Sequence, residues 1–318
     1  MIISASRRTD IPAFYSDWFF NRYREGFVLV RNPMNPRQIS KVSLSPDVAD
    51  GIVFWTKNPA PMLSRLDELG GVPYYFQFTL NPYRTDVEVY VPSKNDSVIR
   101  TFQTLSDRIG AHRVVWRYDP ILINQEYTEA YHLRQFETLA KLLENHTQIC
   151  TVSFVDQYKK TLRNAQSLGI QSQSARQKKE LLRTFSQIAQ ASHLRLRTCA
   201  EDVDCSDFGI ENGACIDASL LSTIGGIPLQ TKKDRNQRLK CGCAESIDIG
   251  AYNTCLHGCR YCYANASEST VKANAARYDA SAPMLCSSVG AEDRVTVREM
   301  RSCRRCQIGM LDGNQFLS

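Results

Sequence analysis

The chain has 318 residues, 43% of them hydrophobic and 23% charged, with 39 Lys and Arg against 33 Asp and Glu for a formal net charge of +6. That length suffices for one large α/β barrel or two modest domains, and the composition is that of a globular chain with a sizeable core. No stretch approaches the roughly 20 apolar residues of a membrane-spanning helix, and the basic excess is too small to signal nucleic-acid binding by itself.

In chain order, Met1–Arg8 reads as a strand running into a charged loop and lacks the apolar core of a signal peptide, so the expected compartment is the cytoplasm, with no membrane partner. Strands are predicted over Ile2–Ser6, Gly51–Thr56, Tyr74–Leu80, Arg113–Asp119, Gln148–Val155 and Leu194–Thr198, short apolar or β-branched runs that each end in polar residues. Helices are predicted between them over Ala13–Arg24, Pro61–Leu69 and Asp96–Ile109. Two more follow from helical spacing, through Leu133, Phe136, Leu139, Ala140 and Leu143, and through Leu181, Leu182, Phe185, Ile188 and Ala189. Only Phe27–Leu44 breaks the rhythm, where Asn32-Pro33-Met34-Asn35-Pro36 between two apolar runs predicts a hairpin.

Strand–helix repetition predicts a parallel sheet with right-handed crossovers. Six units suggest an α/β fold with a partial (β/α)6 TIM-like barrel over residues 1–198; the repeat alone also fits a doubly wound sheet. In such barrels chemistry collects at the C-terminal ends of the strands, and those ends are polar here. They carry Arg7, Arg8, Thr9 and Asp10; Thr56, Lys57 and Asn58; Gln77, Thr79 and Asn81; Arg117 and Asp119; Ser153 and Asp156; and Arg197, Cys199 and Glu201. The expected substrate-binding and catalytic groups are Arg7, Arg8, Asp10, Lys57, Asn58, Arg117 and Asp119. Arginine's fork of donors suits a carboxylate or phosphate.

Eleven of the twelve cysteines fall between Cys199 and Cys306, so residues 199–318 are expected to form a cysteine-rich, cluster-binding segment packed on the barrel mouth. In a reducing compartment that density argues for metal ligation or redox chemistry more than for disulfides. The run Cys255-Leu256-His257-Gly258-Cys259-Arg260-Tyr261-Cys262 places three thiols within eight residues. Thiolates are the usual holders of iron–sulfur clusters, normally four per cluster, so three ligands leave one iron open to a substrate or cofactor. Burial without a metal, a disulfide, or a zinc site remain the competing readings.

This spacing, with an aromatic residue before the third cysteine, resembles the radical S-adenosylmethionine superfamily. The resemblance implies that Cys255, Cys259 and Cys262 bind three irons of a [4Fe–4S] cluster whose fourth iron chelates S-adenosylmethionine. One electron, from a reductase or flavodoxin-like donor, then releases a 5′-deoxyadenosyl radical that abstracts hydrogen from a substrate. It also implies that Tyr261 lies beside the adenine, while Gly258 lets the loop curl close to the metal. In that superfamily the motif follows the first barrel strand, and here it follows the sixth predicted one; nor does a glycine-glycine-acid motif follow the second predicted strand. The wider context, Ser4–Pro12 together with Ile247–Thr254, resembles the bacterial domain of unknown function numbered 1848 over nearly the whole chain.

A second iron–sulfur cluster is expected at Cys215, Cys241 and Cys243 with Cys199 or Cys205, although free cysteines are often simply small buried hydrophobes. Cys303 and Cys306 form a two-residue-spaced pair that reads as a reduced pair in the tail. Lys232–Lys240 carries five basic residues and reads as a solvated loop, or as a surface steering an anion, a nucleic-acid backbone or an acidic electron donor. The substrate class is therefore a polar or anionic small molecule or, by the same radical chemistry, a nucleic acid under repair or modification. From another class comes a non-enzymatic iron–sulfur or zinc protein in electron relay or partner binding.

Overall fold

A computed structural model describes residues 1–155 and 165–304. Asp156, Arg305 and Cys306, named above, lie outside the described residues.

All six predicted strands form, at β1 (Ile2–Ala5), β4 (Gly51–Thr56), β5 (Tyr74–Thr79), β6 (Val114–Ile121), β7 (Ile149–Phe154) and β8 (Arg195–Thr198). They lie side by side in that order and parallel throughout. Two short strands from the cysteine-rich segment flank them: β9 (Glu211–Asn212) pairs with β8, and β10 (Ser246–Asp248) pairs with β1. The result is a parallel eight-stranded sheet in a mixed α/β fold, and among the described residues no pairing joins β9 to β10.

The hairpin forms as predicted, from β2 (Phe27–Arg31) and β3 (Gln38–Ser43), and β11 (Arg294–Val297) adds to it as a third strand. The first predicted helix divides at Tyr15 into α1 (Ile11–Phe14) and α2 (Ser16–Glu25). Asp10 starts α1 by accepting the Ala13 N–H, with Pro12 in its first turn. Ala60–Leu69 is a 3₁₀ helix, and α3 (Ile99–Ile109) follows a π turn at Lys94–Val98. The two periodic segments are α4 (Glu129–Leu142) and α5 (Ala175–Ala191), the latter opened by a capping box between Ser174 and Gln177. Two shorter helices, α6 (Ala218–Gly225) and α7 (Glu268–Ala275), lie in the cysteine-rich segment. No helix among the described residues is long and apolar enough to cross a membrane.

Side chains alternate between the two faces of a strand, and both faces here are buried. Ile3, Ile52, Phe76, Trp116 and Val152 face the helices. There Phe136 of α4 stacks on Phe185 of α5 with centroids 4.1 Å apart and on Trp116 at 5.0 Å, and Phe102 of α3 meets Phe78 at 4.7 Å. The intervening residues Ile2, Val53, Tyr75, Val115 and Ile149 face the other way, against Cys199, Cys215, Ile216, Leu221, Cys241 and Cys243. The segment from Cys199 to Ala244 thus covers the sheet's second face. Continuing along that face, the same alternation carries Ser6, Trp55, Arg117, Ser153 and Cys199 into a cavity at the C-terminal ends of the strands.

Candidate metal and active site

The cavity measures about 440 Å³, within the roughly 300–1,000 Å³ of small-molecule sites. Two groups of thiols line it: Cys255, Cys259 and Cys262 from the loop after β10, and Cys199, Cys215, Cys241 and Cys243 from the segment on the inner face. Every cysteine among the described residues is a free thiol.

Because β10 pairs with β1, the three-cysteine loop emerges beside the end of β1. The Asp248 carboxylate joins the two strands, accepting from Ser4 Oγ at 3.1 Å, Ser6 Oγ at 2.6 Å and the Arg7 N–H at 2.8 Å. Within the loop, Cys262 N–H donates to the Cys259 carbonyl at 3.1 Å, Asn265 Nδ2 to the Cys255 carbonyl at 2.8 Å, and Ala264 N–H to Cys262 Sγ at 3.3 Å. Gly258 has φ +65°, and a Cβ there would come within 2.7 Å of the Tyr90 ring, so a side chain is excluded by both conformation and space. It shapes the loop from outside the cavity lining.

A second segment clamps this loop. Tyr90 N–H donates to the His257 carbonyl at 3.0 Å and Arg260 N–H to the Val87 carbonyl at 2.9 Å, so Val87–Tyr90 runs antiparallel to the motif. Between them lies Glu88, buried and ion-paired with Lys57 at 2.7 Å and Lys94 at 2.5 Å. Its carboxylate also accepts from Tyr261 Oη and from Asn81 Nδ2 at 3.3 Å. Burial by itself would raise the Glu88 pKa, but the two ammonium groups overcome it and hold the carboxyl at about 2. Lys57 Nζ donates to Tyr261 Oη at 2.9 Å, which commits the tyrosine hydroxyl while the residue still lines the cavity. Burial pushes the Cys259 thiol up to about 12 against the opposing field of Lys57.

Asp10 organises the loop from the β1 side. It caps α1 and accepts from Lys57 N–H at 2.6 Å and from His257 Nε2 at 2.7 Å. The other imidazole nitrogen, His257 Nδ1, is buried without a partner, as are Thr9 Oγ1 and Trp55 Nε1, and all three residues line the cavity. Buried polar atoms are normally paired, and these three are exceptions within the residues of the cavity wall.

Arg7 and Arg8 line the cavity with acidic company, Arg7 3.6 Å from Asp234 and Arg8 3.8 Å from Asp248. Arg117 is buried, its guanidinium paired with Asp119, which also accepts from Ser153 Oγ. Lys57 and Asp119 reach the cavity; Asn58 does not line it, and its Oδ1 accepts the Ala60 N–H at 3.4 Å. Part of the basic run bends back as cavity wall, through Asn236, Gln237 and Arg238.

Among the four inner thiols, Cys199 Sγ lies 3.0 Å from Cys215 Sγ, and Cys215 contacts Cys243, which contacts Cys241. The hydrogen bond from Cys243 draws the Cys241 thiol down to about 7, whereas Cys215 rises to about 11. Cys205 packs instead in the main core, and Cys303 sits by Asp50 at the start of β4, the far end of the sheet. His257, Glu88 and Asp248 are the site residues to which sequence reasoning gave no role, and Asn81 was named only as part of a polar strand end. Asp10 and Lys57 carried a signal, at polar strand ends, but their partners are distant in the chain.

A family model described as "Domain of unknown function (DUF1848)" matches residues 2–264, a span that takes in both cysteine groups. No curated protein matches the chain. Among solved structures it is similar to dihydropyrimidinase from Brevibacillus agri NCHU1002 at 10% identity and a TM-score of 0.27; the match covers 59% of this chain but only 37% of that one, too slight a likeness to carry fold or activity across.

Proposed function

Since the chain belongs to the DUF1848 family, whose description assigns no activity, we propose a function from the site itself: a radical S-adenosylmethionine enzyme acting on a polar or anionic substrate within the cavity. The observation that carries this reading is the convergence of Cys255, Cys259 and Cys262 on one cavity walled by polar strand ends.

The residues fit the group. Cys255, Cys259 and Cys262 would hold a [4Fe–4S] cluster, and Arg7, Arg8 and Lys57 line the space beside it. When bound and reduced by a reductase or flavodoxin-like donor, the cluster supplies the electron that cleaves S-adenosylmethionine to a 5′-deoxyadenosyl radical. Around it, the chain's own residues hold the loop in place. Lys57 brings positive charge beside thiolate ligands, Glu88 keeps Lys57 and Tyr261 in position, and Asp10 fixes the His257 ring. Arg7 and Arg8 present cations to the same space, which favours an anionic or strongly polar substrate.

Spatial order also supports the reading. The motif comes late in the chain but follows β10, which adjoins β1, so it stands at the start of the row β10-β1-β4-β5-β6-β7-β8. A partial (β/α)6 barrel with the motif after its first strand is the arrangement such chemistry uses, and six successive parallel neighbours are compatible with it.

Anaerobic reconstitution with iron and sulfide tests the proposal. Wild type should cleave S-adenosylmethionine on reduction, and single alanine variants of Cys255, Cys259 and Cys262 should lose that cleavage together with about four irons per chain, the content of one cluster. Cluster-loaded, reduced wild type that leaves S-adenosylmethionine intact would favour an electron-relay protein.

A further inference from the structure

We propose that Cys199, Cys215, Cys241 and Cys243 hold a second iron–sulfur centre, open to the same cavity, with Arg117 as the hydrogen-bond donor to its sulfur. The proposal stands on thiols other than those of the first site and survives if that reading fails.

The four residues come from three separate places, the end of β8, the turn before α6 and the approach to β10. Each packs on the inner face of the sheet, and Cys199 Sγ lies 3.0 Å from Cys215 Sγ. Hydrophobic burial accounts for small apolar residues in such a place. It does not account for a buried cation aimed at them. Arg117 Nη1 donates to Cys215 Sγ at 2.8 Å while its other nitrogens hold Asp119, and Gln77 Oε1 lies 3.4 Å from the same Nη1. A neutral thiol is a weak acceptor, a poor partner for a guanidinium withdrawn from water, whereas a metal-bound thiolate is anionic and makes the charge-assisted bond that Arg117 is oriented for.

Four thiolates are the ligand set of a structural zinc ion or of an iron–sulfur cluster. A tetrahedral zinc site with Zn–S of about 2.3 Å keeps all its sulfurs about 3.8 Å apart around one point. A multi-iron cluster spreads four thiolates over several metal atoms, and four cysteines are its usual ligand set. With all four cysteines lining the cavity, such a centre would face the substrate space directly. Hydrogen bonds to sulfur help to set the reduction potential of iron–sulfur centres, so Arg117, expected from the sequence to orient substrate, becomes a positioning and tuning residue for this one.

The test removes the first site. The triple variant C255A/C259A/C262A, reconstituted anaerobically, should keep roughly half the wild-type iron and acid-labile sulfide, on the basis of two four-iron clusters. Adding C241S and C243S should take the remainder to zero. In the triple-variant background, Arg117→Met should move the reduction potential of the remaining centre to more negative values, and Arg117→Lys, which keeps the charge, should restore part of the shift; a purely structural role would alter the iron content and leave the potential alone. Zinc in place of iron, or four freely reactive thiols and no metal in the triple variant, would overturn the proposal. So would a residual centre indifferent to Cys241 and Cys243. Loss of S-adenosylmethionine cleavage with this second iron retained would instead refute only the function proposed for the first site.

Discussion

Replacing Glu88 by glutamine should destabilise the protein by about 3–5 kcal/mol, the typical consequence of removing one partner from a buried ion pair. Glu88 is 1% exposed and is the common acceptor of Lys57, Lys94, Tyr261 and Asn81, so the amide leaves two buried ammonium groups without a counter-charge. Its acidity leads to the same order: a carboxyl held at about 2 instead of 4.5 corresponds to about 3 kcal/mol of preferential stabilisation of the charged form. The sign follows from the depressed value. The contribution is present above pH 4.5 and is lost as pH falls towards 2, so wild type and variant should differ most near neutrality and converge in acid. Urea denaturation of the cluster-free protein under anaerobic conditions, followed by circular dichroism at pH 7 and at pH 4, measures both the loss and its pH dependence. Adding Lys57→Met to the variant should recover part of the loss, because it removes a cation that has become unpaired. A loss under about 1 kcal/mol at pH 7 would refute the view that this carboxylate clamps the motif loop, since that is the scale of an exposed pair.

His132 lies in the core between Tyr118 Oη at 2.7 Å and the Leu122 carbonyl at 2.9 Å, and burial lowers its pKa from 6.5 to about 4. An imidazole that resists protonation when folded costs stability as pH falls from 6.5 to 4, by about 3 kcal/mol in all; His132→Gln should flatten that part of the stability–pH curve, and an unchanged slope would exclude the assignment. Gly258→Ala meets both the positive φ and the Tyr90 ring and should cost about 1–3 kcal/mol, with reduced iron uptake on reconstitution. Tyr90→Ala in that background should relieve the contact but not the backbone strain, so full recovery would show that φ is immaterial there.

The six central strands were legible because each is a short run with both faces buried, and such runs read as apolar whatever lies on either side. Period-two alternation also held the key to the cavity. Starting from Val53 or Val115 on the inner face, a step of two residues leads to Trp55 or Arg117 in the cavity, whereas the fourth thiol is Cys199 because it directly follows β8 on that face while Cys205 packs in the main core. By contrast, β9 and β10 contain two and three residues, too few to show a period, and their strand character comes entirely from the neighbour they pair with. Glu88 gave no signal either. It sits between Val87 and Val89 in a short stretch that matches none of the predicted strands, and becomes a buried counter-ion where the motif loop, some 170 residues later, lies antiparallel to it.

The position of the motif is the clearest case of chain order misleading where spatial order does not. Counted along the sequence, Cys255 follows the sixth predicted strand; counted across the sheet, its loop follows the strand next to β1. Three backbone-paired residues, Ser246, Ile247 and Asp248, make that difference, fixed by their register against Ile2, Ile3 and Ser4 and by the hydrogen bonds of Asp248 to Ser4, Ser6 and the Arg7 N–H. The consequence is chemical as well as topological. The end of β1, with Arg7, Arg8, Thr9 and Asp10, becomes the immediate neighbour of the three thiols, and Asp10 reaches His257 across 247 residues of chain. A polar strand end and a cysteine loop that seem unrelated in the sequence are therefore two sides of one cavity, and the four inner thiols close its third side through the same sheet face.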